Sequence, residues 1–303
     1  MKRNLAFVLL MLSTMLSARQ PVVDLNKFVS LEDSMKKIGP NIFKGDDVHK
    51  TIANTAFLDM MRRAVNMEGA INYPFDSLDF IGRLKSPDDA FRIINWNLPK
   101  DDGTQLYYCF LIVDESKLAL GKKFQKTHTG VKVYELTDKS DVIKNAELST
   151  LSVDKWYGAL YYKIIKTHDK KKDYYTLLAW DGNSSLTWKK IIDVLTFEKD
   201  GTPVFGEKAI FSRGKLSCKR VIFEFRAELV MLLHWDEKYE CIVFDHLAPE
   251  YEGAEGMYQV YSQSFTYDSF QWKKGKWQET INIDVKNPKN KTDDGYHKPV
   301  GDQ

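Results

Sequence analysis

The chain has 303 residues, with 44 Lys and Arg against 42 Asp and Glu, and 43% of its residues are hydrophobic. A hydrophobic content of this size supports a packed core and excludes wholesale disorder. The near balance of charge gives no electrostatic case for nucleic-acid binding, which depends on a clustered excess of Lys and Arg.

The N-terminus carries the three parts of a secretory signal peptide. Lys2 and Arg3 supply positive charge, residues 5–12 are almost wholly apolar, and small residues follow. The apolar run is shorter than the ~20 residues that a membrane-spanning helix needs. We therefore expect a signal peptide over residues 1–18, cleaved after Ala18, and a mature protein in the periplasm or outside the cell.

Cleavage at this position removes two basic residues and no acidic ones, which leaves 42 residues of each sign. No cysteine lies near the cleavage site to carry a lipid, and no second segment is apolar enough to span a membrane, so we expect a mature chain without a transmembrane segment. The three cysteines, Cys109, Cys218 and Cys241, are an odd number, which excludes a complete set of intramolecular disulfides. Buried thiols are the favoured interpretation, and one disulfide plus a free thiol stays open.

Residues 19–77 are predicted to form a helical segment. Between Asp46 and Asn66 apolar residues recur every four positions, a spacing that lines one face of a helix. The recurring residues are Val48, Ile52, Ala56, Met60 and Ala64. A shorter helix is expected before it, broken near Gly39 and Pro40.

Residues 78–285 are dense in aromatic and β-branched residues, with turns at short intervals such as the polar stretch 167–172. No helix-length connection separates the predicted strands after residue 150, which favours antiparallel pairing. We therefore predict a mainly β (α+β) protein, an antiparallel meander or sandwich with a helical N-terminal segment. Residues 286–303 are polar and are expected to form a flexible tail.

A weak repeat suggests an alternative architecture. Trp180-Asp181 and Trp235-Asp236 stand 55 residues apart, and each pair ends a predicted strand that a turn joins to a second apolar strand. The pattern predicts a repeated hairpin in which the Asp starts the turn. An irregular β-propeller is the alternative, but the Trp intervals are uneven and the Gly-His partner signature is absent, so the sandwich is preferred.

The strongest polar cluster comprises His234, Asp236, Asp245 and His246. A hairpin over these residues brings them close together, and His and carboxylate groups serve as zinc ligands or general bases. Their spacing matches no closed metal motif, and the adjacent Asp245 and His246 face opposite ways on a strand. A structural hairpin is therefore favoured over a metal or catalytic site.

Two further carboxylates are low-ranking binding candidates. Asp181 begins an Asp-Gly-Asn sequence that is part of a calcium loop or, more simply, a tight turn. Asp193 follows two isoleucines in a predicted strand and is expected to be a buried or edge carboxylate. No nucleophile elbow, zinc-peptidase helix or phosphate-binding loop occurs, so no cofactor is expected.

Aromatic residues make up 13% of the chain, which raises sugar or peptide binding as an option. The rings considered for stacking on a ligand are Tyr157, Tyr161, Tyr258, Tyr261, Phe265, Tyr267 and Trp272. The simpler interpretation is that these rings form cross-strand pairs within a sheet.

Three stretches, residues 174–183, 190–195 and 220–224, resemble segments of uncharacterised exported β-rich proteins of Bacteroidota-type bacteria. The resemblance covers roughly residues 85–285. It implies a secreted lineage and transfers no activity, cofactor or catalytic residue.

Two hypotheses of function follow from these observations. The first is an exported, non-enzymatic binding or assembly module of the cell envelope, with an envelope protein or a polysaccharide as partner. The second is a hydrolase of envelope or nutrient polymers with a His/carboxylate site. The second requires a concave pocket in which at least two titratable groups converge.

Overall fold

The structure is a computed structural model that describes residues 24–170 and 172–283. The predicted signal peptide and the predicted polar tail lie outside these residues.

The chain begins with two helices, α1 (Leu25–Ile38) and α2 (Asp47–Val65), joined through a short 3₁₀ helix (Gly39–Phe43). Each α-helix starts on an aspartate whose side chain accepts a hydrogen bond from the helix backbone. Asp24 accepts from the Lys27 amide, and Asp46 accepts from the His49 amide at 3.0 Å. Such N-caps satisfy amides that have no partner within the helix.

The face of α2 that packs against the core differs from the face predicted from the apolar residues at every fourth position. Phe57 and Met61 are fully buried, whereas Val48 and Ile52 are 65% and 64% exposed. A strict step of four residues rotates about 40° around a helix of 3.6 residues per turn. The predicted line of apolar residues therefore winds around the helix, and its members near the start of α2 no longer face the core.

The remainder of the described chain is mainly β, with one further short α-helix, α3 (Lys122–Thr127), and several single-turn 3₁₀ helices. The strands are β1 (Gly82–Lys85), β2 (Phe91–Pro99), β3 (Gln105–Asp114), β4 (Val131–Thr137), β5 (Leu160–Asp169), β6 (Lys172–Asp181), β7 (Thr187–Phe197), β8 (Pro203–Phe205), β9 (Phe211–Arg213), β10 (Leu216–Cys218), β11 (Val221–Arg226), β12 (Leu233–Asp236), β13 (Cys241–Pro249), β14 (Tyr261–Lys273) and β15 (Lys276–Ile283).

The strands form three sheets, none of which closes. We call them the helix-side sheet (β1-β2-β3-β4), the middle sheet (β11-β7-β6-β5, with β8 paired to β7) and the outer sheet (β10-β9-β15-β14-β13-β12). Pairing is antiparallel except between β9 and β15, which run parallel. The predicted mainly β, antiparallel architecture is confirmed, and the described residues contain no propeller.

Three hydrophobic clusters hold the layers together. One packs α1 and α2 on the helix-side sheet, a second fills the space between that sheet and the middle sheet, and the third joins the middle and outer sheets. Neighbouring residues of β6 enter different clusters: Tyr174 faces the outer sheet, and Tyr175 faces the helix-side sheet. Strands covered on both faces explain the continuous apolar runs of the sequence.

Both predicted Trp-Asp hairpins are present. The β6–β7 hairpin pairs Asp181 with Lys189, and the β12–β13 hairpin pairs Asp236 with Cys241. They lie in different sheets, so the repeat marks two similar turns and not two blades of one propeller.

Candidate functional site

The predicted His–Asp cluster lies at the β12–β13 hairpin and beyond it. Asp236 closes the turn, because its Oδ1 atom accepts hydrogen bonds from the Lys238 and Tyr239 amides, each at 2.9 Å. Asp245 accepts from the Leu232 amide at 2.7 Å. Both carboxylates are therefore engaged by backbone amides of their own hairpin.

The two histidines of this cluster have different surroundings. His246 lies where the register between β13 and β14 shifts, and its Nδ1 atom is 2.7 Å from Asp268 Oδ2. The Nδ1 atom of His234 is buried and has no hydrogen-bond partner among the described residues. No three His, Cys, Asp or Glu side chains within residues 24–170 and 172–283 converge in a way that would hold a metal ion.

Asp181 is a buried turn residue at the end of β6. Its Oδ1 atom accepts hydrogen bonds from the Tyr107 hydroxyl at 2.8 Å and from the Asn183 amide at 2.7 Å. Lys189 Nζ lies 3.8 Å from Oδ2. Burial raises the pKa of Asp181, and the nearby Lys189 charge offsets part of that rise. The arrangement ties the β6–β7 turn to the helix-side sheet through Tyr107.

Asp193 is a buried carboxylate of β7 with a charged partner. Arg220 Nη2 lies 2.8 Å from its Oδ1 atom, and both side chains are almost completely shielded from solvent. The Tyr161 hydroxyl donates to Asp193 Oδ2 at 3.3 Å, and Trp156 Nε1 donates to Tyr161 at 2.7 Å. This network fixes the positions of core side chains, and both of its charged groups are shielded from solvent.

The seven aromatic residues proposed for ligand stacking divide by exposure. Tyr157 and Tyr161 are buried, which removes them from any external surface. Phe265 is 97% exposed, at a positive φ of 61° where the register of β13 and β14 shifts. Tyr258 and Tyr267 are also exposed, while Tyr261 and Trp272 are partly buried.

A further functional candidate is a cleft that the sequence gives little sign of. It has a volume of about 780 Å³, within the roughly 300–1,000 Å³ typical of ligand pockets. It lies at the end of the β6–β7 pair opposite the Asp181 turn. Its lining consists of Leu118, Ala119, Leu120, Gly121, Lys172, Asp173, Tyr175, Phe197, Glu198, Lys199, Asp200 and Glu207.

The apolar part of this cleft comes from the loop that precedes α3 and from the ends of two strands. Leu118, Tyr175 and Phe197 are buried members of the cluster between the helix-side and middle sheets. The rings of Tyr175 and Phe197 meet edge to face, 6.0 Å apart. A rigid core thus forms the floor, and the charged residues that line the cleft come from turns and strand ends around it.

One ion pair of the lining joins Lys172, the first residue of β6, to Glu207, beyond β8. The Thr196 hydroxyl also donates to Glu207 Oε2, at 3.0 Å. Burial alone would raise the pKa of Glu207, but the hydrogen bond and charge of Lys172 outweigh it and hold this pKa below its ordinary value of 4.5. Glu207 is therefore ionised over the whole neutral range.

A second charged network starts at the cleft residue Asp173. Its Oδ2 atom is 2.9 Å from Lys166 Nζ, and its Oδ1 atom is 2.6 Å from His168 Nδ1. Lys166 Nζ also donates to Asp88 Oδ2 at 2.7 Å, and that oxygen accepts from the Tyr175 hydroxyl at 2.7 Å. Five side chains from the helix-side and middle sheets are thereby linked behind one wall of the cleft.

The pKa shifts in this network favour fixed charges. Burial would raise the pKa of Asp88, but hydrogen bonds from Lys166 and Tyr175 lower it overall. Burial would lower the pKa of Lys166, but its bonds to Asp88 and Asp173 raise it overall. The hydrogen bond with Asp173 raises the pKa of His168 above 6.5. Asp88, Lys166 and His168 are thus stabilised in their charged forms, which suits a preorganised binding surface.

None of the six predicted site residues lines the cleft. The sequence marks residues 167–172 as a polar turn, and β5 and β6 do meet there. Acidic and basic residues at strand ends, as at Lys172-Asp173 and Glu198-Lys199-Asp200, were the available signal. These two groups of residues are far apart in the sequence. They come together only because the register of β6 and β7 places the start of one strand beside the end of the other.

Comparison of the chain with protein-family models, with curated proteins and with solved structures finds no match. In residues 24–170 and 172–283, no helix has the length and apolar character needed to cross a membrane.

Proposed function

We propose that this protein is an exported, non-enzymatic binding protein of the cell envelope and that the cleft between the loop before α3 and the ends of β6 and β7 takes its ligand. The observation that carries the proposal is a cleft of about 780 Å³ whose apolar floor belongs to the buried core and in whose lining Lys172, Asp173 and Glu207 are already held in ion pairs. Such preorganisation reduces the cost of ordering a site when a ligand binds.

The chemistry of the lining indicates the class of ligand. Carboxylates outnumber lysines, with Asp173, Glu198, Asp200 and Glu207 against Lys172 and Lys199. An excess of carboxylates favours a ligand that presents amino or hydroxyl donors. A peptide segment or a polysaccharide bearing such groups meets this requirement, and the apolar floor accommodates its non-polar surface.

Glu207 in the lining and Asp88 behind the wall are poorly suited to act as the acid in hydrolysis. A catalytic acid needs a carboxyl group that stays protonated near neutral pH, which environments achieve by raising its pKa. Glu207 and Asp88 are shifted in the opposite direction by their lysine partners. Asp181 has a raised pKa, but it is bonded within the turn at the far end of the β6–β7 pair.

Export is part of the proposal and rests on the signal-like N-terminus. Expression of the full chain in a bacterium with a periplasm tests it. We expect the protein in the periplasmic or medium fraction, with Arg19 as its first residue. Retention in the cytoplasm with an intact N-terminus would contradict export.

The binding proposal is tested by blocking the cleft. Ala119 lines the cleft and is exposed, so Ala119→Trp adds a large ring without disturbing buried packing. Ser30, exposed on α1, gives the matched control variant Ser30→Trp. Each purified protein is incubated with an envelope extract, recovered, and analysed for bound molecules by mass spectrometry.

We expect a molecule that is retained by the wild type and by Ser30→Trp but not by Ala119→Trp, with circular dichroism confirming that both variants are folded. Equal retention by all three proteins would place binding elsewhere. Release of a shortened product from the extract by the wild type alone would favour the hydrolase.

A further inference from the structure

A second, smaller cavity of about 370 Å³ lies on the opposite side of the helix-side sheet from the cleft. It is bordered by the segment that follows α2 and by β1 and β2. Its charged neighbours are Arg83, Lys85 and Arg92, together with a single carboxylate, Asp76. The cavity therefore carries an excess of positive charge, in contrast to the cleft.

Arg92 is the central feature of this cavity. Its side chain projects from β2, and the residue is 7% exposed. Nη1 donates to the Ala70 and Tyr73 carbonyls, and Nη2 donates to the Pro74 carbonyl at 3.0 Å. Among the described residues, no carboxylate lies within 4.0 Å of the guanidinium, and these three bonds occupy three of its five N–H groups, which leaves two N–H groups for a ligand.

An uncompensated buried cation is uncommon, because removing a charge from water is costly unless a counter-charge replaces the water. Burial, followed by repulsion from Arg83, lowers the pKa of Arg92 to about 10. The guanidinium thus remains charged at neutral pH, in surroundings that favour the approach of an anion.

Arg83 adds a second guanidinium to the same cavity. Its Nη1 atom donates to the Phe75 carbonyl and lies 3.3 Å from Asp76 Oδ1. The Asp76 side chain is 83% exposed and is therefore a weak, water-screened partner. Lys85, the third cation, is paired with Asp89 at 2.8 Å.

The backbone beside the cavity is held in an unusual conformation. Phe75 has a positive φ of 56°, and its ring is fully buried with the Arg92 guanidinium 5.4 Å from the ring centre. This conformation places the carbonyls of Tyr73, Pro74 and Phe75 on the two arginines. Both guanidinium groups are consequently fixed in place before any ligand arrives.

We propose that this cavity binds an oxyanion, such as the phosphate group of a small molecule, between Arg83 and Arg92. Guanidinium groups bind phosphate and carboxylate oxygens through paired, charge-assisted hydrogen bonds. The volume of the cavity leaves room for more than a free ion, so the anion is expected to be the head group of a larger ligand. This site is independent of the cleft and of its proposed function.

The test measures binding of inorganic phosphate and of glycerol 3-phosphate by isothermal titration calorimetry at constant ionic strength. Arg83→Gln removes one guanidinium and leaves the bonds of Arg92 intact. Arg63→Gln, at an exposed position on α2, removes the same charge away from the cavity. Thermal unfolding with and without each anion gives a second readout, because a ligand of the folded state raises Tm.

We expect the wild type and Arg63→Gln to bind at least one of the two anions, and Arg83→Gln to bind it about tenfold or more weakly. Tighter binding of the ester than of inorganic phosphate would identify an organic phosphate as the ligand, and equal binding would identify the free ion. Absence of binding by the folded wild type up to about 10 mM, or equal weakening by both variants, would overturn the proposal.

Discussion

Lys172 and Glu207 pair in the lining of the cleft, joining the first residue of β6 to the segment beyond β8. Their pairing fixes one edge of the cleft and keeps Glu207 ionised at neutral pH. The same contact links the stability of the protein to pH, because an ion pair lasts only while its carboxylate is charged.

Glu207→Gln should lower the free energy of unfolding at pH 7 by about 0.2–1 kcal/mol, the range for partly exposed ion pairs. The pKa of Glu207 is lowered on folding, so its contribution is present above its ordinary pKa of 4.5 and is lost as pH falls through the folded value. Urea unfolding at pH 7 and at pH 3 should therefore give a smaller difference between wild type and variant at the lower pH. The same difference at both pH values would contradict the assignment. Glu255→Gln, at an exposed position outside the cleft, is the control.

Asp173→Asn should return the pKa of His168 towards its ordinary value of 6.5, because the hydrogen bond that the His168 ring donates to Asp173 is the main cause of the rise. A raised folded pKa means that the interaction stabilises the protein below pH 6.5 and is lost as pH rises through the folded value. Nuclear magnetic resonance titration of the His168 ring measures this pKa directly. An unchanged pKa in the variant would show that another group causes the rise.

Arg220→Met and Asp193→Asn should each lower the free energy of unfolding by about 3–5 kcal/mol, because each leaves a buried group without its partner. The double variant should lose less than the sum of the two single losses, since it leaves neither charge alone. Denaturant unfolding of the four proteins completes the cycle. Losses that add to within about 0.5 kcal/mol would show that the two residues do not interact.

All three cysteines should resist thiol reagents in the folded protein. They are free and buried, and burial raises the pKa of Cys218 to about 11 and that of Cys241 above its ordinary value. Thiolate is the reactive form, so labelling should appear only on unfolding. Rapid modification of any cysteine under native conditions would contradict this burial.

The mainly β, antiparallel class could be predicted from the sequence because strand density and turn residues are local features. The Trp-Asp pairs end strands as predicted, and the structure adds Asp24 and Asp46 as the N-caps of the two long helices. The parallel contact of β9 with β15 could not be predicted from the sequence. It consists of only two residue pairs, one of them Phe211 with Trp277, and the paired residues are 66 positions apart in the chain. The face of α2 was misjudged because apolar residues at Val48 and Ile52 satisfy the helical pattern without contacting the core.

The candidate sites were harder to predict because they also depend on contacts between residues that are far apart in the sequence. Asp181 and Asp193 stand out in the sequence as acids among apolar residues. In the core, Asp181 accepts a hydrogen bond from Tyr107, and Asp193 forms an ion pair with Arg220. The cleft instead gathers ordinary charged residues from strand ends, such as Asp173 and Glu207, whose proximity depends on how the sheets pack. The charge of Arg92 is unusual only in its burial, which the sequence does not reveal.

Nuclear magnetic resonance of isotope-labelled protein mixed with the retained envelope fraction shows both whether the cleft binds the ligand and whether the ligand is converted. We expect amide shift changes confined to residues 118–121, 172–175 and 197–200 and around Glu207, and a ligand recovered unaltered. Shift changes elsewhere with none at the cleft, or steady conversion of the ligand to a product, would contradict the proposal that the cleft binds a ligand without converting it.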